Sequence, residues 1–276
     1  MSMNEREQPV SATFAPGLFA GRTVLITGGA GTINRGIGRG FAQLGAKVAL
    51  LGRTAATLDA AARELRTHGG RVLPLVADVE KIDTLEAACR QCEAELGPID
   101  VLILGAAANF PAPAEQMTAA GFGKVIDVDL KGSFNAARAA FQQLKRTRGS
   151  VIFVSATNSL MPFAFQCHVG AAKAGMDSLM RGLALEWGPH GIRCNSVLPG
   201  PIEDTEGLGR LLTREDVETL RDYVPIGRFG TVEDVAAVAV FLASPAASLL
   251  TGVSLVADGG QAFSGSAMVA EVMANA

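Results

Sequence analysis

Along the chain, short uninterrupted apolar runs alternate with longer stretches in which apolar side chains recur every three or four positions. The runs at 22–27, 47–51, 72–76, 99–104, 150–155, 193–198 and 253–257 show little polar alternation, the pattern of strands buried on both faces. Helices are predicted at 39–44, 54–66, 82–96 and 169–187, from the loop of Pro111 and Pro113 to about 147, and at 232–243. Gly45, Gly69-Gly70 and Gly97-Pro98 punctuate the alternation. The charged stretch 205–222 predicts a helical flap, within about 203–224. Strands alternating with helices, with no linker between them, predict the α/β class: one domain over 20–262, a doubly wound parallel sheet of about seven strands with helices on both faces. Residues 1–19 are expected to form a flexible arm and 263–276 a tail.

Composition narrows the function classes. The 276 residues are 49% hydrophobic and 18% charged, a globular balance, and the net charge of −3 offers no footprint for nucleic acid or an anionic membrane. No apolar run approaches a membrane span. The N-terminal stretch lacks the apolar core of a secretory signal, and Met273-Ala274-Asn275-Ala276 carries no peroxisomal or retention address, so the expected location is cytoplasmic and the expected partner a small molecule. Cys89 and Cys92 have C-x-x-C spacing but lie mid-helix with no second Cys/His pair nearby, which reads as ordinary helix residues rather than a metal site.

The chemistry begins where the first strand meets its helix. Leu25-Ile26-Thr27 runs into Gly28-Gly29-Ala30-Gly31, and further glycines follow at Gly36, Gly38 and Gly40. Such a cluster lets backbone approach a pyrophosphate at a helix N-terminus, and the strand, turn, helix and second strand fall at the distances of a Rossmann fold. Gly28, Gly31, Gly36, Ile37 and Gly38 are the expected phosphate contacts. Seven residues separate Gly28 from Gly36, more than a compact turn needs, and the stretch Thr32 to Arg35 has no role in this reading. The second strand ends in Leu51-Gly52-Arg53, without the acid that holds the ribose hydroxyls of NAD. Arg53, with Arg35, is placed to neutralise a 2′-phosphate, which makes NADPH the expected cofactor. Asp78 and Val79 are expected at the adenine, and Gly105, Ala106 and Ala107 at the ribose.

Together with Lys173 in a small-residue helix, Arg193-Cys194-Asn195-Ser196-Val197, Pro199-Gly200-Pro201 and Asp258-Gly259-Gly260, these features resemble the short-chain dehydrogenase/reductase family over about residues 20–262. The resemblance implies that Lys173 holds the nicotinamide ribose and that Pro199, Gly200 and Ile202 also meet the cofactor. It further implies a proton-donating tyrosine four residues before the lysine, yet that position is Val169, and the one tyrosine of the chain is Tyr223. Asp129, in Val128-Asp129-Leu130, stands where the family usually has asparagine. Gln166-Cys167-His168-Val169-Gly170-Ala171-Ala172-Lys173, Leu185-Glu186-Trp187-Gly188-Pro189 and Pro199 to Leu208 resemble the 2,4-dienoyl-CoA reductase branch, as does Ala107-Ala108-Asn109-Phe110. Its peroxisomal-type members also lack the tyrosine and carry the aspartate.

That branch implies NADPH-dependent reduction of a conjugated C=C in an enoyl or 2,4-dienoyl thioester by a homodimer or homotetramer. The proton then comes from water held by Asp129 and His168. Lys173, Asp129, His168 and Ser155 are the expected catalytic residues, and Asn109, Phe110, Thr157, Phe165 and Thr205 the expected substrate contacts. No metal is expected. Reduction needs hydrogen-bond donors for charge developing on the thioester oxygen, and no alkoxide has to be protonated at the carbon that takes the hydride; the missing tyrosine therefore favours C=C over C=O. A ketoreductase of 3-oxoacyl or other carbonyl substrates, with Asp129, His168 or Tyr223 as donor, and a dinucleotide-binding protein without catalysis remain the alternatives.

Overall fold

The computed structural model describes residues 9–203, 205 and 220–266. Seven strands form one sheet of order β3-β2-β1-β4-β5-β6-β7, every pairing parallel. They are β1 (Thr23–Thr27), β2 (Lys47–Gly52), β3 (Val72–Val76), β4 (Ile99–Leu104), β5 (Ser150–Val154), β6 (Arg193–Pro199) and β7 (Ser254–Ala257). Side chains alternate across a strand, so Val24 and Ile26 of β1 enter one core and Leu25 the other. The first core packs under α2 (Thr32–Gln43), α3 (Ala55–Arg66) and α8 (Val232–Ala243). The second lies under α4 (Ile82–Leu96), α6 (Gly132–Thr147) and α7 (Cys167–Trp187). Strand order reverses between β1 and β4, and their carboxyl ends open the crevice in which such sheets bind ligands. Among the described residues, no helix is long and apolar enough to cross a membrane.

Several expectations change. Residues 9–19 are docked: α1 (Val10–Thr13) buries Val10, and Phe19 sets its ring edge-on to Phe41 with centroids 4.8 Å apart. The remainder of the predicted arm, most of the 203–224 flap and most of the tail lie outside the described residues. The helix expected at 39–44 begins at Thr32, because its glycines serve packing. A Cβ on Gly36 would lie 2.7 Å from Val232 Cβ of α8, and one on Gly38 would lie 2.9 Å from Leu65 of α3. The helix predicted to run to Thr147 is broken: α5 (Ala119–Val125), capped by the Thr118 side chain, passes into a π-helical segment, Ile126–Lys131, and then into α6. Such a segment adds a residue to a turn and is frequent at functional sites. Burial pushes the thiols of Cys89 and Cys92 up to about 12, and among the described residues no His/Cys/Asp/Glu group could hold a metal.

Candidate active site

A groove of about 500 Å³ opens at the carboxyl ends of β1, β2, β4 and β5. Its floor is a compact turn: Gly28, with φ of +65°, leads to Gly31, whose N–H donates to Gly28 O before α2 starts at Thr32. A Cβ on Gly28 would meet Ala106 Cα at 2.9 Å, so glycine is required there on both counts. Asn34 then turns back under the loop. Its Nδ2 donates to Gly28 O at 2.9 Å and to Gly105 O at 2.8 Å, tying the ends of β1 and β4 together.

The turn is therefore not lengthened; Thr32 to Arg35 form the first turn of α2. Gly36, Ile37 and Gly38 lie inside that helix, buried, and do not line the groove. Arg35 is likewise carried away from the groove, and its Nε reaches Glu64 at 3.3 Å. Arg53, Asp78, Val79, Gly105, Ala106 and Ala107 all line it, with Thr54 and Thr57 beside Arg53. A glycine floor at a helix N-terminus, a cation at the end of β2 and no carboxylate there fit a dinucleotide.

At the opposite end of the groove stands Lys173, 8% exposed at its side chain. Its Nζ lies 3.1 Å from Asp129 Oδ2 and donates to Val154 O at 3.2 Å. Asp129, in the π-helical segment, is fully buried, and its Oδ1 accepts from the Ala108 N–H at 2.7 Å. One ammonium proton thus goes to Val154 O, the charge is paired with Asp129, and the ammonium keeps protons for the groove that Lys173 lines. Ser155 also lines the groove, but its hydroxyl donates to Asp177 Oδ2 at 3.2 Å, a buried carboxylate four residues beyond Lys173.

His168 does not join this group. It is fully buried, neither ring nitrogen has a hydrogen-bond partner, and it packs on Phe110 with centroids 4.7 Å apart. Val169, in the tyrosine position, is buried with Val125 and Ala172. Tyr223 is 60% exposed and lines neither cavity.

A second cavity of about 430 Å³ adjoins the groove, sharing Ile33, Asn109 and Thr205 with it. Thr157 and Phe165, expected at the substrate, line this cavity, Phe165 with an unusual positive φ of +65°. Pro199, Gly200 and Ile202, assigned above to the cofactor, line this cavity and not the groove, because the chain leaves β6 away from β1. Phe110 lines neither; its ring covers His168. Sequence reasoning missed Phe163, Ala164, Gln166, Leu220 and Phe229 here. Gln166 opens one of the motifs quoted above but was given no role, and no motif marked the others; the apolar run Met161-Pro162-Phe163-Ala164-Phe165, in a loop that has no core of its own to fill, was a usable signal.

The chain matches the family model described as "Enoyl-(Acyl carrier protein) reductase" over residues 28–262. It is 42% identical over 252 residues to the peroxisomal 2,4-dienoyl-CoA reductase [(3E)-enoyl-CoA-producing] of Saccharomyces cerevisiae, covering 90% of this chain and 86% of that protein. Identity to the probable 2,4-dienoyl-CoA reductase [(2E)-enoyl-CoA-producing] of Bacillus subtilis is 36% over 244 residues, covering 87% and 96%. Among solved structures, the citronellol catabolism dehydrogenase of Pseudomonas aeruginosa superposes with a TM-score of 0.80 at 35% identity, over 90% of this chain and 98% of that one. With the glycine-floored crevice and the buried lysine at its far end, these likenesses identify the chain as a member of the short-chain dehydrogenase/reductase family, homologous to its 2,4-dienoyl-CoA reductases.

Proposed function

We propose that the protein is an NADPH-dependent reductase of 2,4-dienoyl thioesters, carried by coenzyme A as the relatives' names suggest. The observation that carries the reading is the buried Lys173–Asp129 pair beside a groove with no tyrosine. The dinucleotide, when bound, supplies a hydride. The apolar second cavity receives the acyl chain, and the δ carbon is presented at the junction that Asn109 lines. Charge moves to the thioester oxygen as a dienolate, and protonation at the α carbon gives a 3-enoyl product. That proton comes from water held at the Lys173 ammonium, which is replenished from solvent. Asp129, hydrogen-bonded at Oδ1 and ion-paired at Oδ2, acts through Lys173 by fixing its position and charge. His168, sealed from both cavities, takes no part.

Arg53 supports the preference for the phosphorylated cofactor. Phe134 and Leu185, 47% and 81% exposed on α6 and α7, support self-association through those helices. The test is NADPH oxidation with 2,4-hexadienoyl-CoA, acetoacetyl-CoA and a simple ketone, with the acyl product identified by mass spectrometry and NMR. The expected result is turnover of the dienoyl thioester to its 3-enoyl product. Turnover of the carbonyl compounds alone would overturn the reading.

A further inference from the structure

A dienolate needs a fixed hydrogen-bond donor at its oxygen, and Ser155 and Lys173, which line the groove, have other partners. The Ser155 proton is committed to Asp177, a carboxylate only 3% exposed that has one oxygen without any partner. Lys173 donates to Val154 O and pairs its charge with Asp129.

Gln166 is differently situated. It stands immediately before α7, its side chain free of any capping bond, seven positions before Lys173, which at 1.5 Å per residue is about 10 Å along the helix axis. The residue is 7% exposed and lines the second cavity. Asn158 Nδ2 donates to its Oε1 at 2.7 Å, which fixes which end of the amide is which and turns the donor end away from Asn158. Gln166 Nε2 donates to no other described residue and is not sealed in the interior. The walls around it are Phe163, Phe165, Ile202 and Phe229, where little water competes for an oxygen.

We propose that Gln166 Nε2 is the catalytic hydrogen-bond donor to the thioester oxygen, and that Asn158 is the positioning residue that orients it. The proposal rests on the dienoyl-thioester reading above. In the step itself, hydride adds to the δ carbon and the γ–δ double bond shifts inward. The electron pair reaches the carbonyl oxygen, where the Gln166 N–H meets it without giving up its proton. Electrons then return to the α carbon as it takes a proton from water, and the carbonyl is restored.

The experiment compares the parent enzyme with Gln166→Met, which keeps length and loses the donor, and with Asn158→Ala. Binding of 2,4-hexadienoyl-CoA to the enzyme with NADP⁺ is followed by the ultraviolet absorbance of the conjugated thioester, which moves to longer wavelength when its oxygen accepts a strong hydrogen bond. The parent is expected to show that shift. Gln166→Met is expected to lose it and to lower kcat about 100-fold, with NADPH affinity unchanged. Asn158→Ala is expected to weaken both effects without abolishing them. A retained shift with near-parental turnover in Gln166→Met overturns the assignment, as does loss of the shift in Asn109→Leu with Gln166→Met unaffected. If the parent does not turn over the dienoyl thioester at all, the functional reading fails first, and this outcome is distinct from the other two.

Discussion

Single side chains decide the chemistry of this site, and Asp129 shows how. One oxygen holds the Ala108 N–H at the end of β4 and the other holds Lys173, so one buried carboxylate sets both the loop that borders the ribose side of the groove and the cation at its end. Asp129→Asn keeps the shape and removes the charge, leaving a buried ammonium whose counter-ion is gone. Turnover is expected to fall about 100-fold while NADPH still binds, because the phosphate contacts lie at the other end of the groove; steady-state kinetics beside a fluorescence titration separates the two. Equal losses in both would mean that Asp129 only holds the fold together. Lys173 and Asp129 were legible from their places in the family pattern. Gln166 and Asn158 were not, because their pairing across a loop leaves no spacing signature in the chain.

At the scale of elements, the strands were readable because a sheet covered on both faces demands unbroken apolar runs, and Val72–Val76 and Ile99–Leu104 stand where the pattern put them. The start of α2 was not readable. Gly36, Gly38 and Gly40 look like turn residues in a sequence but are packing residues in the molecule, thinning α2 where it meets α3 and α8. Gly36→Ala is therefore expected to lower stability by about 1–2 kcal/mol through overpacking against Val232, offset in part by better helix propensity, with dinucleotide affinity unchanged. Thermal melts and a binding titration on the same variant check it, and weakened binding without a change in melting would restore Gly36 to the phosphate site.

The start of α8 carries a pH dependence of its own. Burial alone would raise the Asp234 carboxyl, but Arg228 and the Thr231 cap hold it below the ordinary carboxylate range. A depressed folded value stabilises above the unfolded value of about 4 and is lost as pH falls through the folded one. Asp234→Asn should lower the melting temperature at neutral pH and flatten the decline in stability on acidification below about pH 4, which melts across that range would reveal.

For the molecule as a whole, the proposed function divides the crevice at the reversal of strand order into two tasks: adenosine and its 2′-phosphate toward β2 and β3, chemistry toward β5. Arg53 stands at the first end, far from Lys173 in function, so Arg53→Ala is expected to weaken NADPH about tenfold or more and to leave NADH and kcat nearly unchanged. Parallel titrations with the two cofactors test this, and equal weakening of both would remove the basis for choosing NADPH. The fold class followed from periodicity, and the residues at the ends of β1, β2 and β4 that line the groove were legible from the glycine turn and strand ends. The second cavity did not, since it is assembled from loops whose proximity exists only once β5 and β6 lie side by side.

Asn34 and Gly105 deserve to be read as one unit. A methyl group on residue 105 would fall 2.1 Å from Asn34 Oδ1, so the amide that staples the two turns can exist only opposite a glycine. The two positions, 71 residues apart, are thus mutually exclusive in this chain: a side chain at the second displaces the amide at the first. Gly105→Ala should therefore displace the Asn34 amide and loosen the mouth of the crevice, whereas in Asn34→Gly, which has already lost that tie, the same change should cost little more.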